Sequence, residues 1–162
     1  MLSKKMEKAL NDQIAAEFYA SFLYLSMSTH FEAVNLSGFA HWMRLQATEE
    51  YGHAMKIYRH ILERQGRVII QPVAEVPSEW DSPLAAFQAA QQHEEKVTGM
   101  IDTLVTQARE EKDYATESFL KWFVDEQVEE EEQVGTIVEQ IKMVTDSVGA
   151  LFMLDRALAA RE

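Results

Sequence analysis

All three prolines of the chain, Pro72, Pro77 and Pro83, fall inside one stretch, RVIIQPVAEVPSEWDSP. Proline lacks a backbone N–H and clashes with the preceding helical turn, so this stretch cannot be helical throughout. Elsewhere apolar residues recur at alternating three- and four-residue spacing, the period of an amphipathic helix. Strand-like runs are limited to Val68-Ile69-Ile70. The chain therefore reads as two helical halves joined by one long connection.

Local signals divide each half again. Val34-Asn35-Leu36-Ser37-Gly38 breaks the first half, with Ser37 placed to cap the helix that follows, and Gly66 is placed as a helix C-terminal glycine. In the second half Ser82-Pro83 reads as a cap followed by a first-turn proline, Asp113 as another cap, and Asp146-Ser147 as the start of a short last helix. Four helices of about 25–30 residues, each roughly 40 Å long, and a fifth of three turns are expected. The short breaks make helices one and two, and helices three and four, antiparallel hairpins. The 16 residues from Arg67 to Ser82 can stretch about 50 Å, enough to cross a whole helix and leave helices two and three parallel. The expected fold is all-α: a four-helix bundle with one long crossover between helices two and three and a short fifth C-terminal helix, residues 1–162 forming a single domain.

Following the inward spacing along each helix exposes an anomaly. Helix one gives Leu10, Ile14, Glu17, Ser21, Tyr24, Ser28 and Phe31; helix two gives Phe39, Met43, Gln46, Glu50, His53 and Ile57. Helix three gives Leu84, Phe87, Gln91, Glu94, Thr98, Ile101 and Val105; helix four gives Leu120, Phe123, Gln127, Glu130, Val134, Ile137, Ile141 and Val144. Each stripe is apolar at its ends and ionisable near its middle. Glu17 and Glu50 are 33 residues apart across the first break, and Glu94 and Gln127 are 33 apart across the other, so the hairpins look like copies of one unit.

Four inward carboxylates with one imidazole and no inward Lys or Arg would repel one another strongly in a core. Cations must compensate them. Carboxylate, imidazole and amide ligands suit iron or manganese, with zinc able to compete, and four carboxylates neutralise two divalent ions. The absence of cysteine excludes thiolate zinc sites, iron–sulfur clusters and cysteine nucleophiles. A net charge of -12 argues against a nucleic-acid partner. No apolar run is long enough for a signal peptide core or a membrane span, and a soluble, cytoplasmic protein is expected.

Glu17, EEYGH from Glu49 to His53, Glu94, and DEQVEEEE from Asp125 to Glu132 resemble the ferroxidase-centre motifs of prokaryotic non-haem ferritins, and the resemblance spans the whole chain. It implies a ferritin-like bundle in which Glu17, Glu50 and His53 bind one iron, and Glu50, Glu94 and Glu130 surround a second, with Gln127 close by. It implies a third iron position at Glu49, Glu126 and Glu129, and a tyrosine near the centre, matched by Tyr24. It further implies oxidation of Fe(II) with dioxygen or peroxide and storage of ferric mineral in a homo-oligomeric shell of 24 subunits.

Departures from related bundles narrow the resemblance. General di-iron bundles carry Glu-x-x-His twice, whereas Gln127-x-x-Glu130 occupies the second position here. Bacterioferritins place a haem-binding methionine where this chain has Tyr51, so no haem is expected. Glu131 and Glu132 read as exposed charge, and Glu49, Glu126 and Glu129, one residue off their ladders, fit a helix flank as well as an ion site. His30, His41, His60 and His93 read as surface or packing residues. A bundle that holds inert metal without turnover, and a di-iron oxygenase acting on an organic substrate, are the competing classes.

Overall fold

The computed structural model describes residues 1–162 as five helices and no strand. They are α1 (Lys4–Ala33), α2 (Ser37–Glu63), α3 (Pro83–Glu110), α4 (Tyr114–Val144) and α5 (Val148–Leu158). Ser82 caps α3 through the Ala85 N–H, Asp113 caps α4 through Thr116, and Ser147 caps α5 through Ala150, as their sequence positions predict.

Two local expectations need correction. Ser37 does not cap α2: it is the first helical residue, and the preceding Leu36 offers no capping oxygen. The free N–H groups of Gly38 and Phe39 instead donate to the carboxylate of Asp155 on α5, at 2.8 and 2.9 Å. Gly66 is not the left-handed residue at the end of α2 either; Gln65 is, with φ 58°. Gly66 follows it and donates to the Ile61 carbonyl. Asn35 after α1 and Lys112 after α3 repeat this ending, with the next residue's N–H returning to the helix, so none of the three turns uses glycine at its left-handed position.

The connection between α2 and α3, residues 64–82, crosses the bundle along α1. Arg67 N–H donates to Glu7, Ile69 N–H to Asn11, and the Gln71 amide to Asp12. Further on, Ser26 donates to the Pro77 carbonyl and His30 meets Trp80 edge-on. The chain thus travels from the start of α1 to its end, and α3 begins beside the end at which α2 began. Val68, Ile69 and Ile70 lie in this extended run and pair with no strand.

The apolar core is divided in two. One cluster of 18 residues joins Tyr24, Met27 and Phe31 to Phe39, Met43, Phe87, Val134 and Ile141. A second of 12 joins Leu10 and Ile14 to Ile57, Ile101, Leu120 and Phe123. Between them lies the polar layer at the level that the ladders predict. All the inward positions proposed for α1 and α2 are buried. On α3 the buried stripe runs through Ala86, Phe87, Ala90, Glu94, Val97, Ile101, Leu104 and Ala108, so Leu84, Gln91, Thr98 and Val105 are only half-buried.

Candidate metal centre

Each helix delivers a carboxylate to the polar layer. Glu17, Glu50, Glu94 and Glu130 are at most 2% exposed, and His53 is 5% exposed. The spacing explains the arrangement: Glu50 and His53 stand one turn apart on α2, Gln127 and Glu130 one turn apart on α4, each pair on one face. His53 Nδ1 lies 3.2 Å from Glu50 Oε2, and ligand atoms of Glu17, Glu50 and His53 all fall within 4.8 Å of one another. A second group of the same size joins His53, Glu130 and Glu126.

Glu94 belongs to neither triad. Its Oε1 accepts from the Tyr24 hydroxyl and its Oε2 from Gln127 Nε2 at 3.2 Å. Gln127 also donates toward Thr98 Oγ1 at 3.3 Å. Glu126, one residue off its ladder, is 3.8 Å from His53 Nε2. Glu49 is not turned to the centre: it pairs with Arg161 at 2.5 Å. Glu129 is exposed; burial, opposed by His53 and aided by the charges of Glu129 and Glu49, holds the Glu126 carboxyl above its usual range.

Sequence reasoning did not assign Gln13 and Gln46 to the site. Gln13 Nε2 donates to Glu17 Oε1 at 2.8 Å; Gln46 Nε2 donates to Glu50 Oε1 at 3.0 Å and to Glu130 Oε2 at 2.6 Å. The signal was present, since each glutamine stands four residues before a site glutamate, on the same helical face. Of the histidines read as packing residues, His60 is buried, accepts or donates at Thr116 Oγ1 and stacks on Phe119 at 3.9 Å. His93 packs against Tyr19 and Tyr24.

Charge is the unsolved problem of this layer. Glu17 Oε2 is buried with no hydrogen-bond partner, and no Lys or Arg pairs with Glu17, Glu50, Glu94 or Glu130. Burial, and after it the charge of Glu50, pushes the Glu17 carboxyl up to about 8, Glu94 to about 7 and Glu130 to about 8. Burial alone would lower His53, but its hydrogen bond to Glu50 and the surrounding carboxylates outweigh that and raise it to about 9. Burial and the Glu94 charge hold the Tyr24 hydroxyl well above its ordinary value, so it remains a donor. Without metal, the layer is balanced by retained protons. A carboxylate set with an orphaned oxygen, one imidazole and no Lys or Arg partner fits divalent ions of the iron type.

A measurable consequence follows from these protons. Each raised group binds its proton to higher pH in the folded chain than in the unfolded one. The associated stability is therefore complete below the ordinary carboxyl and imidazole values and is lost as pH rises through 7 to 9. His60 and His93, lowered by burial, act in the opposite sense, but below their ordinary 6.5. Calorimetry of metal-free protein at one concentration should show melting several degrees lower at pH 9 than at pH 7. A saturating divalent ion, which replaces the protons, should raise both melting points and flatten the difference. An unchanged melting point from pH 7 to 9 would remove this account of the layer.

Residues 7–144 match the model of the ferritin-like domain. The chain belongs to the ferritin family. It is 44% identical over 161 residues to a bacterial non-heme ferritin of Bacteroides fragilis, covering 99% of this chain and 100% of that one. It is 37% identical to the bacterial non-heme ferritin of Staphylococcus aureus, covering 99% and 97%. Among solved structures, an open pore ferritin from the hyperthermophilic archaeon Archaeoglobus fulgidus superposes with a TM-score of 0.99 at 49% identity, over the full length of both chains. As a ferritin the chain binds and stores iron with ferroxidase function and self-assembles into a cage. No helix is long and apolar enough to cross a membrane.

Proposed function

We propose that the polar layer is a dinuclear ferroxidase centre at which Fe(II) is the substrate. Glu17, Glu50 and His53 hold one ion, and Glu50, Glu94 and Glu130 hold the other, with Gln127 alongside and Tyr24 fixing Glu94. The observation that carries the reading is the buried layer itself: four carboxylates, one of whose oxygens is unpartnered, between two apolar clusters. Fe(II) displaces the retained protons, and the two ions together supply two electrons to one oxidant. With two protons these convert dioxygen to hydrogen peroxide, or hydrogen peroxide to water. Glu126 and Glu129 form a third ion position beside the pair, which Glu49 joins only on leaving Arg161.

A groove of about 590 Å³ between α2 and α4, lined by Glu49, Gly52, His53, Lys56, Trp122 and Glu126, leads to the His53 side of the centre. Fe(II) enters by it. Fe(III), a harder acid, hydrolyses and leaves for mineral nucleation on acidic surface inside a shell of 24 copies in the cytoplasm. The test is to add a large excess of Fe(II) in air to metal-free protein and assay iron across a size-exclusion run. Hundreds of iron ions or more per particle, co-eluting with a very large soluble species, are expected. A pair of ions per chain on a monomer or dimer would remove the storage reading and favour an oxygenase.

A further inference from the structure

The C-terminal segment after α5 reaches the metal centre through a single side chain. Asp155 fastens α5 to the first turn of α2, and beyond the end of α5 Arg161 lies against α2. His41 Nε2 meets the Arg161 carbonyl at 2.8 Å. The Arg161 guanidinium lies over the Trp42 ring, 4.4 Å from its centroid, and donates to the Trp42 carbonyl at 3.4 Å, to Gln46 Oε1 at 3.0 Å and to Glu49 at 2.5 Å. Its side chain is 16% exposed, against 47% for Glu49.

Gln46 is fully buried, and its amide is held at both ends. The nitrogen donates to Glu50 and Glu130, two carboxylates from different helices, while the oxygen accepts from Arg161. A turned amide would set its oxygen against both carboxylates and its N–H groups against a guanidinium, which has only donors. Once a divalent ion shares the carboxylates, the inner half of that restraint is weakened, and the ion attracts any free oxygen. Arg161 supplies the outer half, and its planar fork, stacked on Trp42, is a stiffer anchor than an ammonium would be.

We propose that Arg161 is a positioning residue of the metal centre: it holds the Gln46 amide so that its nitrogen faces Glu50 and Glu130 and its oxygen stays out of the ion's reach. The inference rests on the dinuclear reading of the site. It makes the docking of α5 a condition for a properly ordered centre, because the segment that carries Arg161 follows directly from that helix.

The test uses Co(II), without oxidant, on metal-free assembled protein of four kinds: native, Arg161→Ala, Gln46→Ala and the double variant. Native protein should bind a pair of Co(II) ions per chain with visible ligand-field bands. Arg161→Ala should change the positions and intensities of those bands and slow Fe(II) oxidation at saturating iron about tenfold, the low end for groups that orient metal ligands. Gln46→Ala should do the same, and adding Arg161→Ala to it should change nothing further, because the two act in series. Two results overturn the proposal: native bands in Arg161→Ala, or an equal additional loss in the Gln46→Ala background, which would mean a through-space charge effect or simple support of the C-terminal segment. Native protein that binds no Co(II) would bring down the dinuclear reading itself, and this proposal with it.

Discussion

Replacing Glu50 with alanine should slow the initial oxidation of Fe(II) by about a hundredfold or more, since even partners of metal ligands are worth about 10- to 100-fold. Glu50 is the one carboxylate common to both proposed ion positions. One of its oxygens lies against His53 and the other accepts from Gln46, so its loss also releases the imidazole and the amide. Stopped-flow absorbance of Fe(III) formation in air would measure the effect. Glu129→Ala is the matched control: Glu129 is exposed and its replacement should leave the rate nearly unchanged. Equal rates for the two variants would remove the site assignment. Calorimetry of the metal-free variant separates slow oxidation from loss of fold. Glu50 is the leading charge that, after burial, raises Glu17, Glu94 and Glu130, so its removal should offset part of the cost of the emptied space and reduce the fall in melting point between pH 7 and 9.

Gly38→Ala should detach α5. A Cβ on Gly38 would lie 1.7 Å from the Asp155 carbonyl oxygen and 2.5 Å from its carbon. Both are backbone atoms, so no side-chain movement relieves the overlap. The helix must lift, and with it go the two hydrogen bonds that Asp155 makes to the first turn of α2 and the packing of Leu151, Leu154 and Leu158 on the larger apolar cluster. Overpacking and the lost cap together cost about 3 kcal/mol or more. Hydrogen exchange should show fast exchange throughout α5 while α1 to α4 keep their protection, and the Arg161 contacts should be lost with it. Native protection of α5 in Gly38→Ala would show that the close approach is unimportant. Asp155→Asn keeps the space and removes only the charge, so it should give a smaller effect of about 1 kcal/mol.

The bundle was legible because its signals are local. Proline placement, capping residues at Ser82, Asp113 and Ser147, and the inward stripes of α1, α2 and α4 depend on neighbours within a turn or two. The level of the polar layer was legible too, because equal distances from a turn set residues side by side in a hairpin. Helix α3 shows where that reasoning stops. After Glu94 the stripe continues with a step of three to Val97, not a step of four to Thr98, and spacing alone does not choose between them. Packing chose, placing the apolar valine in the core and leaving the Thr98 hydroxyl to bond Gln127 and Glu131.

What the sequence determined by itself is the set of helices, their antiparallel pairing and the presence of four carboxylates and an imidazole at one height, since each follows from periodicity and chain length. Only the tertiary structure decided which oxygen meets which partner. Asp155 caps a helix that begins 118 residues before it at Ser37, and Arg161 reaches Gln46 across 115 residues. Tyr24, far along α1, bonds Glu94, which stands outside the two triads. Such contacts carry no local signature because side-chain hydrogen bonds depend on ångström-scale distance in space, which periodicity along a helix does not encode.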